Sequence, residues 1–187
     1  MPLPTLRDLH LARKRTAGRL RRTPLVRSAT LSDVNSGPVY LKLESLQETG
    51  AFKLRGATNR LLTLTPEERA RGVVTVSTGN HGRAVAFAAQ QLGVKATVCL
   101  SRLVPENKKA AIRALGAELR VVGQSQDEAS VEAERLVDEQ GLIYVPPFDD
   151  FDIIAGQGTL GLEIVEDCPE VEEVLVPLSG GGLIAGV

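Results

Sequence analysis

Residues 73–100 read VVTVSTGNHGRAVAFAAQQLGVKATVCL. Val73, Val74, Thr75 and Val76 form a β-branched run of strand character, and Ala96-Thr97-Val98-Cys99-Leu100 forms a second apolar run. Between them Ala84, Val85, Ala88 and Leu92 fall on one face of a helix predicted over 82–92 and closed by Gly93. Strand, helix, strand in that order is the unit of a parallel sheet with helices on its faces. The unit then repeats. A helix over 105–115 ends at Gly116, and a strand follows over 118–122. Ser125 and Glu128 make a capping box for a helix with Ala129, Ala133, Leu136 and Val137 on its buried side, ended by Gly141. A fourth strand is predicted over 142–145. The alternation pauses at Pro146-Pro147, so 72–147 reads as a small α/β domain.

Residues 1–71 and 148–187 flank that unit and read as two parts of a second, larger domain. Leu6, Leu9, Thr16, Ala17 and Leu20 recur at helical spacing after Thr5, a candidate N-cap with Asp8 three residues on. Arg22-Thr23-Pro24-Leu25 breaks that helix, and 39–43 alternates as a strand. A helix over 52–62 begins near Lys53, and Thr65-Pro66-Glu67-Glu68 announces a short one. Towards the C-terminus the reading expects a helix over 158–165 and a buried strand over 174–178. Ser179-Gly180-Gly181-Gly182 then leads into Leu183-Ile184-Ala185-Gly186-Val187. A glycine loop after a buried strand normally opens a longer helix, so the larger domain is expected to be incomplete.

Hydrophobic residues make up 43% of the sequence and charged residues 24%, with a formal net charge of -1. This is ordinary globular usage, and a chain of this size buries about 70% of its unfolded surface. No Lys/Arg block is interleaved with aromatics, so neither a nucleic-acid partner nor a membrane partner is expected. Arg13, Lys14 and Arg15 read as a solvated helix face. Without a secretory pattern at the N-terminus, the expected location is cytoplasmic. Cys99 and Cys168 are too few for a disulfide framework, no metal-ligand spacing is present, and Cys99 sits in an apolar run as a small core residue.

Three segments can carry chemistry. Consecutive glycines at 180–182 leave backbone N–H groups uncovered, which suits an anion at a helix start; a flexible turn is the alternative. Ser77-Thr78-Gly79-Asn80-His81-Gly82 lies between a strand and a helix, where open α/β sheets bind ligands, although Ser77 or Thr78 could simply cap the helix. His81 has no carboxylate partner in sequence reach, so packing or loop hydrogen bonding competes with a general-base role. Lys53, beside Phe52 at a helix start, is a nucleophile only where burial, neighbours or the helix N-terminus discourage its charge; a surface lysine is the alternative.

Ala51-Phe52-Lys53-Leu54-Arg55-Gly56-Ala57 resembles the lysine signature of serine and threonine dehydratases, within the fold type II pyridoxal-phosphate (PLP) enzymes. Residues 77–82 are similar to their asparagine loop, and 179–183 to the glycine loop that takes the cofactor phosphate. Further similarity runs through Arg22-Thr23-Pro24-Leu25, Leu41-Lys42-Leu43-Glu44, Pro147-Phe148-Asp149-Asp150 and Ala155-Gly156-Gln157-Gly158-Thr159. Hydroxyectoine-utilisation dehydratases are the nearest resemblance within that group.

The resemblance implies two open parallel-sheet domains of the tryptophan synthase beta-like fold, with PLP as cofactor. Lys53 would hold the cofactor as an imine and move the proton at the substrate's alpha carbon, with Phe52 beside the ring. Asn80 would bond the ring hydroxyl oxygen, and Ser77, Thr78, Gly79, Asn80 and His81 would hold the substrate carboxylate. Ser179, Gly180, Gly181, Gly182 and Leu183 would take the phosphate. The implied reaction converts a beta-hydroxy amino acid (threonine, serine or a hydroxyectoine-derived one) to a 2-oxo acid and ammonia, in a homodimer. Thr78 stands where related racemases carry a serine, which favours elimination. Ala51 replaces the usual serine, which implies altered tuning of the cofactor, and the residue that contacts the pyridine nitrogen lies outside the matched motifs. A non-catalytic PLP- or amino-acid-binding module and an inactive fragment are the alternatives.

Overall fold

In the computed structural model, which describes residues 3–77 and 79–187, the chain begins with α1 (Leu6–Thr16), β1 (Leu25–Arg27), α2 (Ala29–Asn35), β2 (Tyr40–Lys42) and a 3-10 turn (Glu44–Leu46). It continues through α3 (Lys53–Thr63), α4 (Pro66–Arg71), β3 (Val73–Val76), α5 (Asn80–Leu92), β4 (Ala96–Leu100) and α6 (Glu106–Arg113). The last elements are β5 (Glu118–Val121), α7 (Gln126–Gln140), β6 (Ile143–Tyr144) and α8 (Phe151–Asp167). The fold is α/β, with a parallel four-stranded sheet in the order β5-β4-β3-β6.

β3 and β4 are central and buried throughout, which is why their sequences are apolar without interruption. Their side chains alternate between two cores. Val73, Val98 and Leu100 join Ala84, Val85 and Ala88 of α5, while Val74, Val76 and Cys99 meet Ala129, Ala133 and Leu136 of α7. The helices end where a left-handed residue is needed: Gly93 and Gly141 close α5 and α7 at φ 65° and 68°.

Outside this sheet, α1, α3 and α8 pack together, with α3 also against α5. The approach of α3 to α8 is so close that a Cβ on Gly156 would lie 2.6 Å from the Gly56 Cα. Beside them β1 and β2 pair antiparallel, Val26 opposite Leu41. This pair is the one sheet among the described residues of the flanking segments, which hold only part of the larger domain.

Some expectations are corrected. Residues 174–178 are irregular and exposed, Leu175 at 93%, instead of a buried strand. A strand needs a neighbour for its N–H and C=O groups, and no described strand lies beside this segment. The helix expected over 158–165 starts earlier, at Phe151, because the Asp150 side chain accepts from the Ile153 N–H at 2.9 Å and caps it. The basic run lies on a solvated face as expected: Lys14 and Arg15 are exposed, Arg13 forms a surface pair with Glu166, and Arg15 donates to Asn59 at 2.5 Å.

Candidate functional site

The strand order locates the site. From β3 the chain winds outward to β4 and β5, then returns to place β6 on the other side of β3. The segments leaving the C-terminal ends of β3 and β6 therefore diverge, and such a switch point leaves a crevice between them. Ser77 and Gly79 follow β3 there, and residues 145–150 leave β6.

His81, in the first turn of α5, is buried, and its Nε2 lies 3.1 Å from the Val145 carbonyl oxygen. A carbonyl only accepts, so Nε2 carries the proton and Nδ1 is an unprotonated acceptor, buried without a partner among the described residues. Thr75 donates its hydroxyl to the same oxygen at 2.7 Å. Burial, opposed by that hydrogen bond and reinforced by the charge of Lys53, pushes the imidazole down to about 4. Packing and loop hydrogen bonding account for this side chain, and a base that weak contributes little at neutral pH.

Its depressed value also makes a pH prediction. Between about pH 6.5 and 4 the unfolded chain binds a proton at His81 that the folded chain refuses, so this contribution to stability is complete above 6.5 and falls as the solution is acidified. The loss amounts to about 3 kcal/mol. Denaturant unfolding across that range should show a steeper acid decline in the unaltered chain than in His81→Gln; parallel profiles would contradict the assignment.

Ser77 is buried, and its Oγ accepts the Gly79 N–H at 3.1 Å, so the hydroxyl shapes the turn. Gly79 caps α5 and Asn80 is exposed at its first residue, which leaves first-turn N–H groups of α5 at the mouth of the crevice. Thr78 lies outside the described residues.

Lys53 is the first residue of α3, half-buried, and its Nζ donates to the Pro147 carbonyl oxygen at 2.5 Å. The ammonium also stands 5.3 Å from the centre of the Phe52 ring. Desolvation lowers its pKa from the ordinary lysine value, in the direction a nucleophilic amine requires. Phe148, next along the chain from that carbonyl, packs on the glycine loop: a Cβ at Gly180 would lie 2.3 Å from its ring, and one at Gly182 would lie 2.8 Å from its backbone oxygen. Gly181 has φ 83°, and the Ala185 N–H reaches the Gly181 oxygen at 2.9 Å, so a helical turn opens behind the loop.

The segment 145–148 thus touches all three sequence motifs: His81 through Val145, Lys53 through Pro147, and the glycine loop through Phe148. Asn80 is exposed, and the Lys53 amine is hydrogen-bonded to Pro147. An amine with lowered proton affinity fits an aldehyde, and the helical turn opening behind Gly181 fits a phosphate at its start, while Phe148 fills the space over Gly180 and Gly182. The sequence missed the role of the Pro147 carbonyl, signalled only by the Pro-Pro pause and the family-like Pro147-Phe148-Asp149-Asp150 stretch, and the burial of Arg55, whose signal was a charge set between Leu54 and Gly56 on a helix. A surface depression of about 470 Å³, lined by Arg71, Lys95, Glu118 and Gln140, lies at the strands' opposite ends and takes no part in this site. Among the described residues, no helix is long and apolar enough to cross a membrane, and no cluster of His, Cys, Asp and Glu could hold a metal ion.

Comparison with known proteins agrees with this geometry. The family described as "Pyridoxal-phosphate dependent enzyme" matches residues 17–187. A Sinorhizobium fredii protein provisionally named a threonine dehydratase is 58% identical over 98% of this chain and 55% of its own length. The L-threonine ammonia-lyase of Thermotoga maritima is 49% identical over 98% of this chain and 46% of its own. Among solved structures, maize serine racemase superposes with a TM-score of 0.96 at 34% identity, covering 99% of this chain and 56% of that one. The chain spans about half the length of the curated relatives it matches.

Proposed function

Since this chain belongs to the pyridoxal-phosphate dependent enzymes, we propose that its crevice is part of the site of an ammonia-lyase that dehydrates a beta-hydroxy amino acid to a 2-oxo acid and ammonia. The observation that carries this reading is the segment 145–148, which gathers the Lys53 amine, the His81 loop and the glycine loop at one switch point. When bound, PLP supplies the electron sink for the reaction. The residues supply the rest. Lys53, with its proton affinity lowered by burial, holds the cofactor and then takes the proton from the substrate's alpha carbon. Phe52 packs beside the ring, and Asn80 donates to its hydroxyl oxygen. The loop of Ser77, Thr78, Gly79, Asn80 and His81 presents N–H groups to the substrate carboxylate. The uncovered backbone of Ser179, Gly180, Gly181, Gly182 and Leu183 holds the phosphate.

Threonine is the substrate favoured by the names of the relatives; serine is its nearest homologue, and a hydroxyectoine-derived amino acid is a narrower version of the same chemistry. The working form is a homodimer of the full-length protein, organised as a small domain over 72–147 and a large one from 1–71 and 148 onward. Likeness to a serine racemase favours racemisation as the second reading. The test is to incubate the full-length protein and PLP with L-threonine, L-serine and the hydroxyectoine-derived amino acid, measuring 2-oxo acid and ammonia together with the chirality of residual serine. Equimolar 2-oxo acid and ammonia support the lyase; D-serine without 2-oxo acid supports the racemase; neither product sinks both. The same assay on residues 1–187 alone separates the function of the whole protein from that of this part.

A further inference from the structure

Arg55 lies two residues beyond Lys53 on α3 and is only 1% exposed. A guanidinium has five N–H donors in a fixed fork, and here all five are used. Nε and Nη2 each donate to Glu44 at 2.8 Å. Nη1 and Nη2 donate to Glu163 at 2.6 and 2.9 Å, and Nη1 also reaches the Thr159 hydroxyl at 3.3 Å. The network extends further: Lys42 Nζ lies 2.8 Å from Glu163 and donates to the Thr23 carbonyl at 2.6 Å and to Asp167 at 3.2 Å. Thr23 donates its hydroxyl to Glu44 at 2.5 Å. Burial alone would raise the pKa of Glu163, but hydrogen bonds from Arg55 and Lys42 outweigh it and hold the carboxyl below its usual value.

Resting on the lyase reading above, we infer that Arg55 is a positioning residue, which sets the reach of Lys53 by locking α3 to α8 in one register through Glu163 and Thr159 while Glu44 ties the same fork to the 3-10 turn. Asn59 and Thr63 of α3 bond Asp152 at the start of α8, but beside Arg55 the two helices meet through glycine, with Gly56 and Gly156 in near backbone contact, and such a smooth surface does not fix how far one helix slides along the other. The ion-pair fork does, because only one register lets all five donors find their acceptors without leaving a buried charge unpaired. The Gly56 N–H donating to Gln157 Oε1 at 3.2 Å reinforces that register one residue on. What it positions follows from the chain. Lys53 begins α3, and the segment carrying the Pro147 carbonyl and Phe148 leads directly into α8, so the distance from Nζ to that segment is the distance the lock controls. The lysine motif and the glycine loop are thereby held to each other from behind the site, by a residue that touches neither cofactor nor substrate.

The test uses the full-length, cofactor-loaded protein and Arg55→Lys, which keeps the charge and loses the fork. Two readouts are independent of mere folding: the pH midpoint of the bound cofactor's absorbance, and the separation of kcat from KM. The expected result is a shifted midpoint and a fall of about 10- to 100-fold in kcat, with KM for the amino acid little changed, as a displaced reacting amine requires. An unchanged midpoint and kcat, even with a lowered melting temperature, would overturn the inference and leave Arg55 as a structural clamp alone. Should Arg55→Lys fail to fold, Thr159→Val removes one of the five bonds with little change of shape; the same changes at smaller size support the inference, and wild-type values overturn it. If the unaltered protein itself shows no cofactor attached to Lys53, the lyase reading fails instead.

Discussion

Replacing Lys53 by alanine is expected to abolish covalent attachment of PLP and to lower turnover of the full-length protein by about 10²–10⁴-fold, the range a lost proton-transfer group commands. The other lysines are poorly placed to substitute. Lys42 is committed to Glu163, Asp167 and the Thr23 carbonyl. Lys109 donates to the Arg102 carbonyl, and Lys95 borders the depression at the far ends of the strands. Lys108 is the one that approaches the loop after β3, its Nζ 4.0 Å from where a Gly79 side chain would begin. Comparing 2-oxo acid formation and cofactor absorbance in Lys53→Ala and the unaltered protein checks the result. Activity within about tenfold of wild type would move the reacting amine elsewhere.

The second large effect is on stability. In Gly156→Ala the added methyl would lie 2.6 Å from the Gly56 Cα and 2.7 Å from the Arg55 carbonyl oxygen, both backbone atoms that cannot turn aside. α3 and α8 would have to separate, at a cost of about 3 kcal/mol. For a chain of this size that lowers the melting temperature by about 6–12 °C. Gly37→Ala is the control, since its methyl would find nothing closer than 3.7 Å in an ordinary backbone conformation. Equal melting temperatures for the two variants would contradict the close helix contact.

Where burial is written into composition, the sequence reads well. β3 and β4 are continuous apolar runs, α5 and α7 carry small apolar residues at helical spacing, and Gly93 and Gly141 stop their helices. β1 and α2 went unread because Val26, Leu31 and Val34 are exposed, which leaves no buried stripe to detect. The first half of α8 was hidden by Gly156 and Gly158, which look like breakers in isolation. In the fold Gly156 meets α3, and Gly158 approaches Leu9 and the Gly186 carbonyl. The apolar run at 174–178 misled in the opposite direction, since hydrophobicity alone does not provide the neighbour that a strand requires.

The site divides in a similar way. Lys53, the 77–82 loop and the glycine loop could be picked out as chemistry-bearing stretches, but only the resemblance assigned them a shared cofactor. The carbonyl of Pro147 is backbone and has no side-chain signature. Arg55 is satisfied by Glu44 and by Glu163, the latter 108 residues away, a pairing that no local window contains. His81, read as a possible substrate ligand, spends its ring N–H on Val145 and has only its backbone left for a carboxylate, whereas the Ser77 hydroxyl accepts from Gly79 and keeps its own proton to donate.

The most direct test of the central claim is borohydride reduction of the protein in the presence of PLP, followed by peptide mass mapping, with Lys53→Ala as control. The account predicts a single pyridoxyl group on Lys53, absent from the control. Labelling at Lys108 or scattered over surface lysines, undiminished in the control, would contradict it.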